Sequence, residues 1–342
     1  MASRTALEET SVTGEFKRTD AGFRNTVSSS SRFLPEAGRY HLYISYACPW
    51  ATRALAVYYM KGLEDVIGLS ITHPTWQLSR PGKDEHTGWM FTSPSDPPLS
   101  SSTGHGCFDN QGCIPDSVNG CKFVRDLYEL AHDSAGKYSV PVLWDKKEQT
   151  IVNNESSEII RILNSSFNAL AKNPDLDLYP QALRPAIDSV NAWVYSGVNN
   201  GVYRCGFATS QAAYDSAFQE LCAALDRCEA ILSTQRFLAG GVLTEADIRL
   251  FMTLIRFDEV YVVYFKTNRR FIHEYPNLRG YVQEVFQTPG VAASVNIKHI
   301  KTHYFTSHSK LNPYAIIPGG GEPWWEQPHT RAQQFSAGCA EI

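Results

Sequence analysis

The apolar positions of this chain change period several times, and each change marks an element. Over Arg39 to Ser45 they alternate, with Tyr40, Leu42 and Ile44 on one face and Arg39, His41, Tyr43 and Ser45 on the other, the period of a strand. After Pro49 the spacing turns helical, and Ala54, Leu55, Val57, Tyr58 and Met60 predict a helix over Pro49 to Lys61. Val66 to Thr72 reads as a second strand. From His73 to about Asn119 no period is held. That stretch is rich in Pro, Gly and Ser, carries one apolar island at Gly88-Trp89-Met90-Phe91, and exceeds ordinary loop length, which usually means function or disorder. Lys122 to His132 restores a helical face through Val124, Leu127, Tyr128 and Ala131.

Val140 to Asp145 and Thr150 to Asn153 are two short runs joined by the charged turn Lys146-Lys147-Glu148-Gln149, a hairpin signal. A helix from about Glu155 then buries Ile159, Ile160, Ile162 and Leu163. The order β-α-β, insertion and helix, β-β, α, with a proline opening the third strand, is that of a thioredoxin-like α+β domain. Beyond Pro174 to Pro180 no strand signal occurs. Helical periods around Ala182 to Asn199, Ser210 to Ser233, Thr244 to Tyr264 and Leu278 to Phe286 predict an all-α second half. The expected division is an N-terminal extension over 1–38, a thioredoxin-like domain over 39–172 with an insertion at about 73–120, an all-helical domain over 173–317 and a tail over 318–342. Thr244-Glu245-Ala246-Asp247, with Leu243 before it, is a capping-box pattern and is assigned to folding.

Composition narrows the function classes. With 342 residues, 43% of them hydrophobic, the chain can fill two ordinary cores. A formal net charge of −4 and the lack of any Lys/Arg block disfavour a nucleic-acid partner. No apolar run approaches the roughly 20 residues of a membrane span, and Met1 to Asp20 lacks the apolar core of a signal peptide. Arg4, Lys17, Arg18 and Arg24 with Ser28 to Ser31 hint at organelle import, but Glu8, Glu9, Glu15 and Asp20 argue against it. A soluble cytoplasmic protein is expected. Eight cysteines in such a length are too sparse for a disulfide scaffold and fit a reducing compartment. Cys107, Cys113 and Cys121 lie close together with His105 but include no C-x-x-C pair, so no metal is expected. Cys205, Cys222 and Cys228 read as helix-packing residues, and Cys339 stands apart.

Cys48 carries the chemistry. It sits where the strand-like run gives way to the helix-like one, and Pro49 suits the first helical position because its missing N–H would have had no partner there. Cys48 is therefore expected at a helix N-cap, where unpaired N–H groups and the positive dipole end favour an anion. A thiol of pKa ~8.5 falls by one to several units in such a place and becomes a nucleophile at neutral pH. Ala51 stands where a dithiol protein would have its second cysteine, so the site is a monothiol.

These features, with Val140-Pro141 before a strand, Asn154-Glu155-Ser156 opening a helix and a helical second half, resemble a glutathione transferase. The more specific resemblance is to the glutathionyl-hydroquinone reductases, the Xi class. Cys48-Pro49-Trp50-Ala51, Lys61-Gly62-Leu63-Glu64, Gly88-Trp89, Val140 to Lys147 and Val152 to Arg161 carry it in the first half. Asn200 to Tyr203, Leu243 to Leu250, Arg256-Phe257-Asp258 and His303-Tyr304-Phe305 carry it in the second. It implies that glutathione is the co-substrate, its cysteinyl backbone pairing with Val140 before a cis Pro141. Ser156 would receive the γ-glutamyl carboxylate and Glu155 its ammonium group. Trp89 and Lys137 would complete the site as an aromatic wall and a cation for a carboxylate. Tyr203 and Tyr304 match the positions facing the aromatic substrate. Arg53, one helical turn past Cys48, is placed to support a thiolate. The implied reaction reduces glutathionyl-hydroquinones through a Cys48–glutathione mixed disulfide resolved by a second glutathione, in a homodimer. An omega-like thioltransferase or dehydroascorbate reductase, or a glutathione-binding scaffold without turnover, stays open.

Overall fold

The computed structural model describes residues 9–336, and its internal contacts divide the chain into two units. Arg18–Leu176 forms the first together with Ala293–Pro318; Thr10–Lys17, Asp177–Ala292 and the chain from Gly319 onward form the second. The boundaries thus differ from those expected at 38, 172 and 317, because the segment over 293–318 joins the first unit. Cys339 and the outer ends of the 1–38 and 318–342 segments lie outside the described residues.

In the first unit β1 (Tyr40–Ile44) leads to α1 (Pro49–Lys61), then β2 (Gly68–Ile71), a small hairpin β3 (Gln77–Leu78) with β4 (Thr87–Gly88), and α2 (Val124–Leu130). β5 (Val142–Asp145), β6 (Thr150–Asn153) and α3 (Ser156–Ser165) complete the thioredoxin-like order. The main sheet runs β2-β1-β5-β6, with β1 parallel to β2 and antiparallel to β5, and β5 antiparallel to β6. The alternation in β1 suggested one polar face, yet all five of its residues are buried. Two contacts supply the reason: Tyr43 donates its O–H to Asp116 of the insertion at 2.8 Å, and His41 pairs with Ser70 of β2 at 2.8 Å. Asp116 also accepts from the N–H groups of Val118, Asn119 and Cys121, so one carboxylate ties the long loop to the sheet. Burial pushes that carboxyl up, but these hydrogen bonds outweigh it and hold it below its ordinary range. Gly62 closes α1 at φ +65, where a Cβ would lie 2.6 Å from that of Lys172; only glycine fits there without strain.

The N-terminal segment is not loose where it meets this sheet. Asn25 donates its N–H to Val152 O at 3.0 Å, and Phe23 donates to Asn154 Oδ1 at 3.0 Å, adding an edge along β6. The insertion's cysteines do not share an environment. Cys107 is exposed, Cys113 buried and Cys121 half-buried, and burial raises Cys113 to about 11 and Cys121 to about 12. Among the described residues no group of three His, Cys, Asp or Glu is placed to hold a metal ion, and no helix is long and apolar enough to cross a membrane.

The second unit contains α4 (Arg184–Val194), α5 (Gly201–Gly206), α6 (Gln211–Thr234), α7 (Glu245–Arg256), the single turn α8 (Val262–Tyr264) and α9 (Pro276–Gln287). The helix expected over Ala182 to Asn199 ends in a π-helical turn at Tyr195–Asn199, and the one expected over Thr244 to Tyr264 is interrupted by another at Phe257–Tyr261, a local widening that hydrophobic periodicity does not register. Asp247 caps α7: its carboxylate accepts from Thr244 N–H at 2.9 Å and Leu238 N–H at 2.9 Å, and from Tyr281 O–H at 3.1 Å. Cys205, Cys222 and Cys228 are buried on α5 and α6. The tail is packed as far as it is described: Trp324 and Trp325 are buried, and α11 (Arg331–Ser336), which the sequence pattern missed, follows. The remaining helix, α10 (Ile297–Ser307), belongs to the first unit. Its run of Lys, His and Thr had given no clean apolar period.

Candidate active site

The strand-to-helix junction at the end of β1 positions Cys48. Its backbone is extended (φ −82, ψ 116) at the N-cap of α1, with Pro49 next, and its side chain makes no capping hydrogen bond. The Cys48 side chain therefore does not cap α1, and its sulfur stands at the positive end of the helix dipole. Cys48 is half-buried, and its Sγ lies 3.6 Å from Val140 O, to which the thiol donates. The Val140–Pro141 peptide is cis. Among the described residues Val140 N–H makes no hydrogen bond, so an extended peptide laid beside it has a backbone donor to pair with. Ala51 is fully buried within α1.

Glu155 and Ser156 open α3. Glu155 is the N-cap, and its carboxylate accepts from Ser157 N–H at 2.9 Å and Ser157 O–H at 2.8 Å. Ser156 is buried behind it at 3% exposure. The arrangement is a helix cap that α3 supplies from its own N-cap residue, with the Ser156 O–H also directed to Glu155 at 3.5 Å. α1 and α3 pack against each other, which brings both helix starts into one unit.

Trp89 is held in an aromatic cluster. Its ring stacks on His303 at 4.5 Å between centroids and meets Trp76 edge-on at 5.5 Å. His303 Nδ1 lies 2.9 Å from Pro74 O; a carbonyl only accepts, so Nδ1 carries the proton. Tyr304 follows on α10, is 1% exposed, and touches the rings of His303 and His308 edge-on. Arg53 is buried with its guanidinium 4.6 Å from the Trp50 ring centre, and Arg18 lies 4.9 Å from the same ring. Lys137 is not a solvated charge: its Nζ donates to Glu9 Oε1 at 2.6 Å and to Thr19 O and Oγ1, both at 3.0 Å.

The structure thus collects Cys48, Trp89, Lys137, Val140, Pro141, Glu155, Ser156 and Tyr304 in its first unit, whereas Tyr203 falls in the second. There Tyr203 is buried on α5 among Phe16, Phe207, Tyr261 and Phe265.

Comparison with known proteins places this geometry. The N-terminal domain of glutathione S-transferases matches residues 47–166, and their C-terminal domain matches 211–284. The chain is 43% identical over 336 residues to the glutathionyl-hydroquinone reductase YqjG of Escherichia coli (strain K12), covering 95% of this chain and 94% of that protein. The crystal structure of the glutathione S-transferase Xi from Phanerochaete chrysosporium superposes with a TM-score of 0.82 at 47% identity, over 92% of this chain and 95% of that one. The chain belongs to the Xi class of the glutathione transferase family. The glutathione-bound structure of YqjG itself matches this Xi-class chain with a TM-score of 0.82 at 42% identity, over 92% and 97% of the two.

Three residues around the Xi-class site escaped the sequence: Glu9 and Arg18, brought in from the N-terminal segment, and His303, the neighbour of Tyr304. A sequence separation of 128 between Glu9 and Lys137 leaves no local pattern to read. His303 had a faint signal in His303-Tyr304-Phe305, which was read for its tyrosine alone.

Proposed function

We propose that this chain reduces glutathionyl-hydroquinones to hydroquinones at the expense of glutathione, releasing glutathione disulfide. The observation that carries the reading is Cys48 at the uncapped start of α1, with its sulfur 3.6 Å from the carbonyl that precedes a cis proline. The relative named for this activity, 43% identical over nearly the whole chain, supports it. A glutathione laid along Val140 would bring its sulfur to Cys48, with its γ-glutamyl end at Glu155 and Ser156.

In the first half-reaction the ring carbon bearing sulfur takes a proton and the hydroquinone becomes its keto tautomer. The Cys48 thiolate then attacks the glutathionyl sulfur; an S–S bond forms, the C–S bond breaks, and its electron pair restores the aromatic ring. Tyr203 and Tyr304 are the proton donors and oxygen ligands of this step. In the second half-reaction a glutathione thiolate attacks the mixed disulfide and regenerates the Cys48 thiolate. With Ala51 at the second thiol position, an external thiol must do this. The cytoplasm, where glutathione is kept reduced, is the compartment in which we place the reaction, and a homodimer is its working form.

The test is turnover. Protein, glutathione and a glutathionyl-hydroquinone are mixed, hydroquinone release is followed by chromatography, and the protein is searched by mass spectrometry for one glutathione on Cys48. A Cys48→Ser protein that keeps the wild-type rate ends the mechanism. Faster turnover of dehydroascorbate would move the chain to the omega-like alternative, and glutathione binding without turnover would leave it a scaffold.

A further inference from the structure

Glutathione carries two carboxylates. If α3's start at Glu155 and Ser156 takes the γ-glutamyl one, the glycyl one is left for Lys137. An ammonium has three N–H donors, and Lys137 directs them to three acceptors from one stretch of chain: Glu9 Oε1 at 2.6 Å, Thr19 O at 3.0 Å and Thr19 Oγ1 at 3.0 Å. A carboxylate is thus already bound to the cation that glutathione would use. The neighbouring Arg18 lies over Trp50, two residues past Cys48, so Arg18 and Thr19 link the surroundings of Cys48 to Lys137.

We propose that Glu9 is an internal competitor for glutathione: its carboxylate occupies Lys137 in the unliganded protein, must yield to the glycyl carboxylate, and thereby sets the affinity for glutathione. This rests on reading Lys137 as a glutathione contact.

The details fit a contact that holds and releases. Glu9 is only 7% exposed. Burial pushes its carboxyl up, but Lys137 and Thr19 outweigh burial and hold it below the ordinary carboxylate range, so it is an anion at neutral pH and competes charge for charge. Its hydrogen bonds are one-sided. Oε1 accepts from Lys137 and from Thr19 N–H and O–H, whereas Oε2 is buried with no protein donor. A buried carboxylate oxygen without a donor costs free energy, which weakens the closed arrangement and makes the exchange feasible. The opposite role is equally concrete: Glu9 would orient Lys137 for glutathione, and removing it would weaken binding. The two differ in sign.

Isothermal titration of reduced glutathione into wild type, Glu9→Gln, Lys137→Gln and the double variant separates them. Glutamine keeps an acceptor for Thr19 but removes the charge. The expected result is a dissociation constant lowered about three- to tenfold in Glu9→Gln and raised about tenfold in Lys137→Gln. The double variant should match Lys137→Gln alone, since the competition acts only through that cation. Thr19→Val removes one acceptor of Lys137 and one of the donors that hold Glu9 Oε1; it leaves the Glu9 charge in place, should tighten binding by a smaller factor and covers the case in which Glu9→Gln fails to fold. Unchanged or weaker binding in Glu9→Gln or Thr19→Val, with Lys137→Gln weakened, overturns the competition and leaves Lys137 as a glutathione contact. An unaffected Lys137→Gln instead removes Lys137 from the glutathione site, and the competition with it.

Discussion

Two helix starts in this molecule face the same problem and solve it differently. α7 begins with a capping box in which Asp247, fully buried, accepts from the N–H of the N-cap Thr244 and also ties down Leu238 N–H and Tyr281 O–H. α1 begins with Cys48, whose side chain makes no capping bond and is half-buried. The first start is closed and serves folding. The second leaves its dipole to act on the sulfur beside it, a place that favours an anion. What separates the two starts is whether a carboxylate of the helix itself stands against them.

If that contrast is right, changes at the open start should cost activity and leave stability nearly intact, and changes at the closed one should do the reverse. The largest effect is expected from Cys48→Ser, with turnover down by at least about a thousandfold and the thermal midpoint nearly unmoved; a large loss of stability would mean that Cys48 is a packing residue. Next comes Asp247→Ala, which strands the buried N–H groups of Leu238 and Thr244 and the Thr244 O–H and should cost about 3 kcal/mol in urea unfolding, while turnover per folded molecule stays at the wild-type value. A fall in that turnover would tie the closed start to catalysis and blur the contrast. Tyr304→Phe removes only an O–H, and a decrease of about 10- to 100-fold in kcat with an unchanged midpoint is expected if the phenol moves the ring proton.

The smallest effect concerns Asp116, the carboxylate that fastens the insertion to β1. Its folded-state pKa lies below the unfolded value of about 3.9, so the ionised form stabilises the fold. That contribution is full above the unfolded value and is lost as pH falls through the folded-state pKa. Thermal melts from pH 7 to pH 3 should show wild type more stable than Asp116→Asn at neutral pH, with the gap closing in acid. A gap that does not change with pH would show that the carboxylate acts through shape and not charge.

How far the sequence could be read depended on how local each signal was. β1, α1, β5, β6 and α3 were legible because strand and helix periods repeat within a few residues. Cys48 was legible because Pro49 marks the helix start immediately after it. The chain was less readable wherever partners come from afar. Burial of the polar face of β1 required Asp116, which is 73 residues away from Tyr43. α10 buries Ile300, Tyr304 and Phe305 but interleaves them with polar residues held by bonds such as that from His303 to Pro74 O. The two π turns insert a residue into helices whose apolar period continues across them.

The sequence by itself determined the order of the thioredoxin-like elements, the place of Cys48 before a helix and the absence of a cysteine at position 51, since each is written in a window of a few residues by backbone sterics and side-chain periodicity. Only the tertiary structure decided what stands around that cysteine. Val140 meets Cys48 across 92 residues, and Glu9 reaches Lys137 across 128. Such contacts form because folding buries apolar surface and then requires the polar groups carried with it to find partners, a choice made among all segments of the chain at once.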